Sequence, residues 1–177
     1  FDGSNSSVNS VLDHYRAAGE NLSANKNAAK SGSEMRGGSN SFEMQASKII
    51  AQSILPDHVE VLLGGNDICN RDCVDPQNCN NPLYSPEQWR EAVQAGLDVL
   101  VNGLPQDATV YLGGVPRVQD LRAAGLEKQA SNSRVNCASA WRAFNICEIA
   151  TDGDVRFGEG LDERLNGIAQ MQRRYNE

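Results

Sequence analysis

"VEVLLGGNDICNRDC", Val59 to Cys73, is the stretch on which the reading of the fold turns. Val59 to Leu63 has the length and the apolar, β-branched composition of a strand. The run ends in Gly64-Gly65-Asn66-Asp67 and then enters a cysteine-rich loop. A strand that only packed could end in any turn. Here a flexible backbone and two hydrogen-bonding side chains meet at a strand end, the place where ligands gather in parallel α/β sheets.

Working outward, "ATVYLGGVP", Ala108 to Pro116, repeats the plan: a β-rich run ending in Gly113-Gly114. The clearest helix lies between the two runs. Ser85 caps it, Pro86 occupies its first turn, Gln88 completes a capping box, and Trp89, Val93, Leu97, Leu100 and Leu104 form one face before Pro105 stops it. Before the first strand, Asn40 and Glu43 fit a capping box, and Phe42, Ala46, Ile49, Ile50 and Ser53 share a helical face up to Pro56. A short helix is expected over Val8, Val11, Leu12 and Tyr15, with Gly19 as its stop, and a final helix over Leu161, Leu165, Ile168 and Tyr175. The stretch holding Cys137, Trp141, Phe144 and Cys147 reads as irregular. Strands alternating with amphipathic helices indicate an α/β fold with a parallel sheet covered on both faces.

With 177 residues, one domain can bury roughly 70% of its unfolded surface. Acidic residues outnumber basic ones 23 to 16, for a formal charge of −7, which excludes an electrostatic footprint for nucleic acid or anionic membrane. A neutral or zwitterionic small molecule suits this surface better. No apolar run approaches the roughly 18 residues of a membrane span, so no integral membrane segment is expected. No G-x-G-x-x-G or G-x-x-x-x-G-K-S/T turn joins a strand to a helix, which argues against a nucleotide. Cys69, Cys73 and Cys79 crowd one loop, with Cys137 and Cys147 in another. Clustered loop cysteines suggest disulfides and an oxidising compartment, secreted or periplasmic. We expect Cys137 bridged to Cys147, two of the other three bridged, and one thiol left over. His14 and His58 lie in other elements, so zinc is not expected, nor is any other metal or cofactor.

"GGND" at 64–67 closing a strand, with "NAAKSGS" at 27–33 upstream, resembles the third and second sequence blocks of the SGNH (GDSL-type) hydrolases. The extension "NDIC", with a further cysteine close behind, is most similar to the phospholipase B branch, in which a stretch similar to "FDGSNSSVNSVLDHYRAAG" lies between blocks one and two. The resemblance implies a three-layer α/β/α flavodoxin-like domain, with residues 1–177 as its central portion, incomplete at both ends. It also implies a serine ester hydrolase, an esterase or lipase and possibly a phospholipase, whose oxyanion hole uses Gly32 and Asn66. Such a hole needs donors already in place when charge develops on the carbonyl oxygen, and an Asn NH₂ and an unobstructed Gly N–H are such donors. Asp67 is expected to support the turn after Asn66.

Neither a GDS block nor a D-x-x-H occurs; Asp2-Gly3-Ser4 is a permutation without a preceding strand. The nucleophile and the Asp–His pair are therefore expected before and after this segment, so that the remainder of the polypeptide is required for activity on a small ester or phospholipid. His58 precedes the strand, and a rise of about 3.3 Å per residue puts it roughly 20 Å from the mouth. His14 reads as a solvated helix residue. The alternative function is a non-catalytic SGNH-like module that binds lipid or glycan. Asn5-Ser6-Ser7 and Asn21-Leu22-Ser23 match the glycosylation sequon, a common chance pattern.

Overall fold

The computed structural model describes residues 11–20 and 26–177. The first expected helix survives as α1, Val11–Ala17, with Val8 outside the described residues. Strands β1 (His58–Val61) and β2 (Thr109–Leu112) pair in parallel, Val59 opposite Val110 and Glu60 opposite Tyr111. The two glycine pairs that follow the strands therefore stand at the same carboxyl end of the sheet, as the repeated sequence plan requires.

One face of the sheet carries Val59, Val61 and Val110 into the hydrophobic core. Helices α2 (Phe42–Ile50) and α4 (Pro86–Gly103) bring Phe42, Ala46, Trp89 and Leu100 to the same core. The α4 capping box forms as read, with Ser85 and Gln88 bonding reciprocally. The α2 cap is one residue later than read: Ser41, not Asn40, accepts the Met44 N–H, while Asn40 offers its backbone carbonyl to Gln45. Gly96 decides how closely α2 and α4 approach, because a Cβ there would sit 2.1 Å from the Phe42 ring. The other face of the sheet holds Glu60, Leu62 and Tyr111, with Leu62 74% and Tyr111 67% exposed. Tyr15 of α1 touches its amino end through His58.

The stretch after β2, read as irregular, is mostly helical. A 3₁₀ turn at Val118–Asp120 runs into α5 (Leu121–Ser131), then α6 (Cys137–Phe144) and α7 (Glu148–Thr151) follow. Gly125 hid α5 from a pattern reading by interrupting a run of good helix formers. It is glycine because the Trp141 indole of α6 packs there, 2.3 Å from where a Cβ would be. Helix α8 (Leu161–Tyr175) closes the described chain, its end docked under β2: Asn176 accepts the Val115 N–H, and Trp89 stacks on Tyr175 at 4.5 Å.

The expected Cys137–Cys147 bridge does not form. Cys137 opens α6 and Cys147 lies beyond its far end, and the eight residues of the helix span about 12 Å, well beyond the reach of a disulfide. Cys147 instead bridges Cys69, Cys73 bridges Cys79, and Cys137 keeps its thiol. The second bridge and the single leftover thiol agree with the sequence reading. Peptide mapping of the unreduced protein should recover Cys69 joined to Cys147 and Cys73 joined to Cys79, with alkylation of the unfolded chain confined to Cys137. A peptide joining Cys137 to Cys147 would contradict this arrangement.

Candidate functional site

At the carboxyl end of β1 the chain turns at Gly64, with φ +107, and starts the short helix α3 (Gly65–Cys69). That conformation and the crowding around it both demand glycine. A Cβ at Gly64 would lie 2.7 Å from Val115 and 2.9 Å from Trp89. Asn66 is thus delivered at the first turn of a helix pointing away from the strand end.

The turn holding Gly32 comes to meet it. The Asn66 side-chain nitrogen donates to the Ser33 carbonyl at 2.9 Å. An amide nitrogen carries two N–H groups, so this bond orients the side chain and leaves one donor for a ligand. Gly32 is exposed, with φ +76 and no atom of the described residues within 4 Å of where a Cβ would stand, so its backbone is approachable from that side. The buried Ser33 hydroxyl beside it has no hydrogen-bond partner among the described residues. The Asn66 amide and the turn holding Gly32 and Ser33, more than thirty positions apart in the chain, are therefore in contact.

Asp67 does more than support its own turn. Its fully buried carboxylate accepts the Met35 N–H at 2.7 Å and the Arg36 N–H at 3.3 Å, tying the 32–36 turn to α3. Burial is the largest influence on this carboxyl and pushes it up to about 6, against the lowering effect of the Met35 and Arg36 N–H groups. Glu34 raises it further and Arg71 lowers it.

Sequence reasoning missed the layer around this turn. Glu34 accepts from Asn70 at 2.8 Å, from Tyr84 at 3.1 Å and from the Arg71 guanidinium. Arg71 also donates to Asn81 at 2.8 Å and lies over the Tyr84 ring, 4.5 Å from its centroid. Burial raises the Tyr84 hydroxyl above its ordinary value, the largest of its influences. Asn70 and Arg71 follow directly on the last residue of α3, and nothing local in the sequence pairs them with Glu34.

No family model, no characterised protein and no solved structure matches the chain.

Other sequence candidates fall elsewhere. His58 sits at the amino end of β1, 3.2 Å from both the Tyr15 hydroxyl and Glu60, and His14 is exposed on α1. The half-buried Cys137 thiol lies on α6. No described helix is long and apolar enough to cross a membrane. An open cavity of about 190 Å³ lies behind the 35–37 segment, lined by Arg36, Ser41, Glu43 and Glu91, and includes neither Asn66 nor Gly32.

The raised Asp67 value has a defined sign for stability. Between about pH 4 and pH 6 the folded chain holds a proton at Asp67 that the unfolded chain, at its ordinary 3.8, has released. The site's contribution is therefore greatest near pH 4 and falls as the pH rises through 6. Relative to Asp67→Asn, which cannot ionise, the wild-type chain should lose up to about 3 kcal/mol between about pH 4 and pH 7. Urea midpoints of both proteins across that range measure the difference; a gain in relative wild-type stability with rising pH would reverse the assignment.

Proposed function

We propose that this chain carries the oxyanion hole of a serine ester hydrolase of the SGNH type, acting on carboxylic esters, with phospholipids among the candidate substrates. The observation that supports it is the meeting of the Asn66 amide with the Gly32–Ser33 turn at the carboxyl end of a parallel sheet. In this reading the α/β domain is part of a three-layer flavodoxin-like fold, and the nucleophilic serine and Asp–His pair come from chain outside these 177 residues. Two disulfides suit an oxidising compartment, and the reading places the enzyme outside the cytosol.

The chemistry assigns each group a task. The serine oxygen adds to the ester carbonyl, the histidine takes its proton, and the carbonyl oxygen becomes an oxyanion. The second Asn66 N–H and the Gly32 backbone N–H meet that oxygen with donors that need no rearrangement. Collapse of the intermediate expels the alcohol, which the histidine protonates, and water then releases the acid from the acyl-enzyme by the same route. Asp67 takes no part in proton transfer. It keeps the two donor segments together.

In the full-length protein, Asn66→Ala should lower kcat on p-nitrophenyl butyrate by roughly 10² to 10³, the usual loss for one oxyanion donor. The accompanying loss of stability should be about 1 kcal/mol, that of one ordinary hydrogen bond, read from the urea midpoint. Wild-type turnover in the folded variant would end the hydrolase reading.

A further inference from the structure

We propose that Glu34 is a positioning residue for the oxyanion hole: its carboxylate, held by Asn70, Arg71 and Tyr84, sets where Gly32 stands relative to Asn66. The proposal rests on the hydrolase reading and adds to it a residue that touches no substrate.

The need for such a residue follows from the Gly32 turn itself. With nothing among the described residues within 4 Å of a would-be Cβ, and an exposed backbone, Gly32 has no described side-chain packing of its own to hold it. Its placement is inherited from residues 33–36. These run beside α3 and are fastened at successive points. Ser33 O takes Asn66, the Glu34 carboxylate takes Asn70 and Arg71, and the Met35 and Arg36 N–H groups reach Asp67. The Asn66 and Asp67 contacts fasten the segment at the start of the helix. Glu34 fastens it at the other end, and without that contact the segment can pivot about the first two.

Glu34 is suited to the task by burial and by number of acceptors. The Glu34 and Arg71 side chains are only 15% and 11% exposed, so the pair is largely removed from water, unlike an ordinary surface ion pair. One carboxylate oxygen accepts from Asn70, the other from both Arg71 and Tyr84. Arg71 is itself fixed by Asn81, and Tyr84 through its carbonyl by the Tyr175 hydroxyl. The Cys73–Cys79 bridge closes the loop between them. A chain of contacts thus runs from a cross-linked loop to the donor turn. Glutamine in place of Glu34 would keep the size but turn one acceptor into a donor, set either against the Arg71 guanidinium, which only donates, or against Asn70, whose amide would have to turn over to accept it. Because an error of about 1 Å at a reacting centre can cost 10²-fold in rate, loosening the turn should register in turnover.

The test uses the full-length protein and p-nitrophenyl butyrate. E34Q should lower kcat about tenfold with KM within twofold of wild type, since Glu34 acts by placing the Gly32 donor and touches no substrate. If E34Q folds poorly, E34M/R71M removes the whole ion pair and leaves no unpaired charge. That variant should match the wild-type melting temperature within a few degrees, still lose kcat about tenfold, and exchange the Met35 and Arg36 amide hydrogens at least tenfold faster. Wild-type kcat in folded E34Q or E34M/R71M would overturn the proposal. A wild-type protein that hydrolyses no ester would overturn the hydrolase reading and this proposal together. That outcome is distinct from failure of Glu34 alone, in which wild type and E34Q turn over equally.

Discussion

The buried carboxylate of Asp67 is the interaction on which the site depends. Taking an ionised group out of water is costly, and among the described residues no cation is ion-paired with it to offset the cost. What compensates are two backbone N–H groups, Met35 and Arg36, that would themselves be costly to bury unpaired. Each partner is thus the other's solution. The exchange binds residues separated by more than thirty positions, and it brings the Gly32 turn to the end of β1. The carboxyl's upward displacement to about 6 shows that the hydrogen bonds do not fully cancel the desolvation.

The same solution, a buried charge satisfied by backbone, recurs behind the site. Arg164 is fully buried and donates to the carbonyls of Ile149, Asp152, Asp154 and Glu159. Glu159, equally buried, accepts from the Val74 and Asp75 N–H groups and from Asn78. Neither side chain needs the other as an ion-pair partner. Each organises a loop whose own sequence could not form a ladder: Arg164 the segment around α7, Glu159 the loop closed by Cys73–Cys79. That loop leads to Tyr84, and Tyr84 leads to Glu34. The Cys69–Cys147 bridge ties the end of α3 to the start of α7 and joins the two regions covalently.

How far the sequence was legible follows from which forces are local. The α4 boundaries could be read because a capping box, a first-turn proline and an apolar face are all local features that agree. The parallel pairing of β1 and β2 was legible from the connecting helix. The α2 cap slipped by a residue because Asn40 and Ser41 are both good caps and only packing chooses between them. Helices α5 to α7 were hidden because their glycine, short lengths and left-handed ends at Asn145 and Cys147 look like loop until Trp141 is seen against Gly125. Cysteine pairing is a matter of distance in space, and proximity in sequence misled where a rigid helix intervened. At the site, Asn66 and Gly32 were visible as residue types. The Glu34 and Asp67 contacts join segments that no local pattern relates.

The four residues at the end of β1 can now be assigned separate physical reasons. Gly64 is fixed twice over, by a left-handed backbone and by the lack of room between Val115 and Trp89. Gly65 opens the helix under the Pro116 ring, where a Cβ would make only ordinary contact at 3.6 Å, so its glycine is a matter of start geometry and not of space. Asn66 spends one N–H on Ser33 and keeps one. Asp67 points inward onto the Met35 and Arg36 N–H groups, and Asn66, about 100° away round the helix, reaches the Ser33 carbonyl of the same segment. Adjacent helix positions thus grip one stretch of chain by complementary groups, the carboxylate by its N–H groups and the amide by its carbonyl, and neither contact could form without the turn that Gly64 makes.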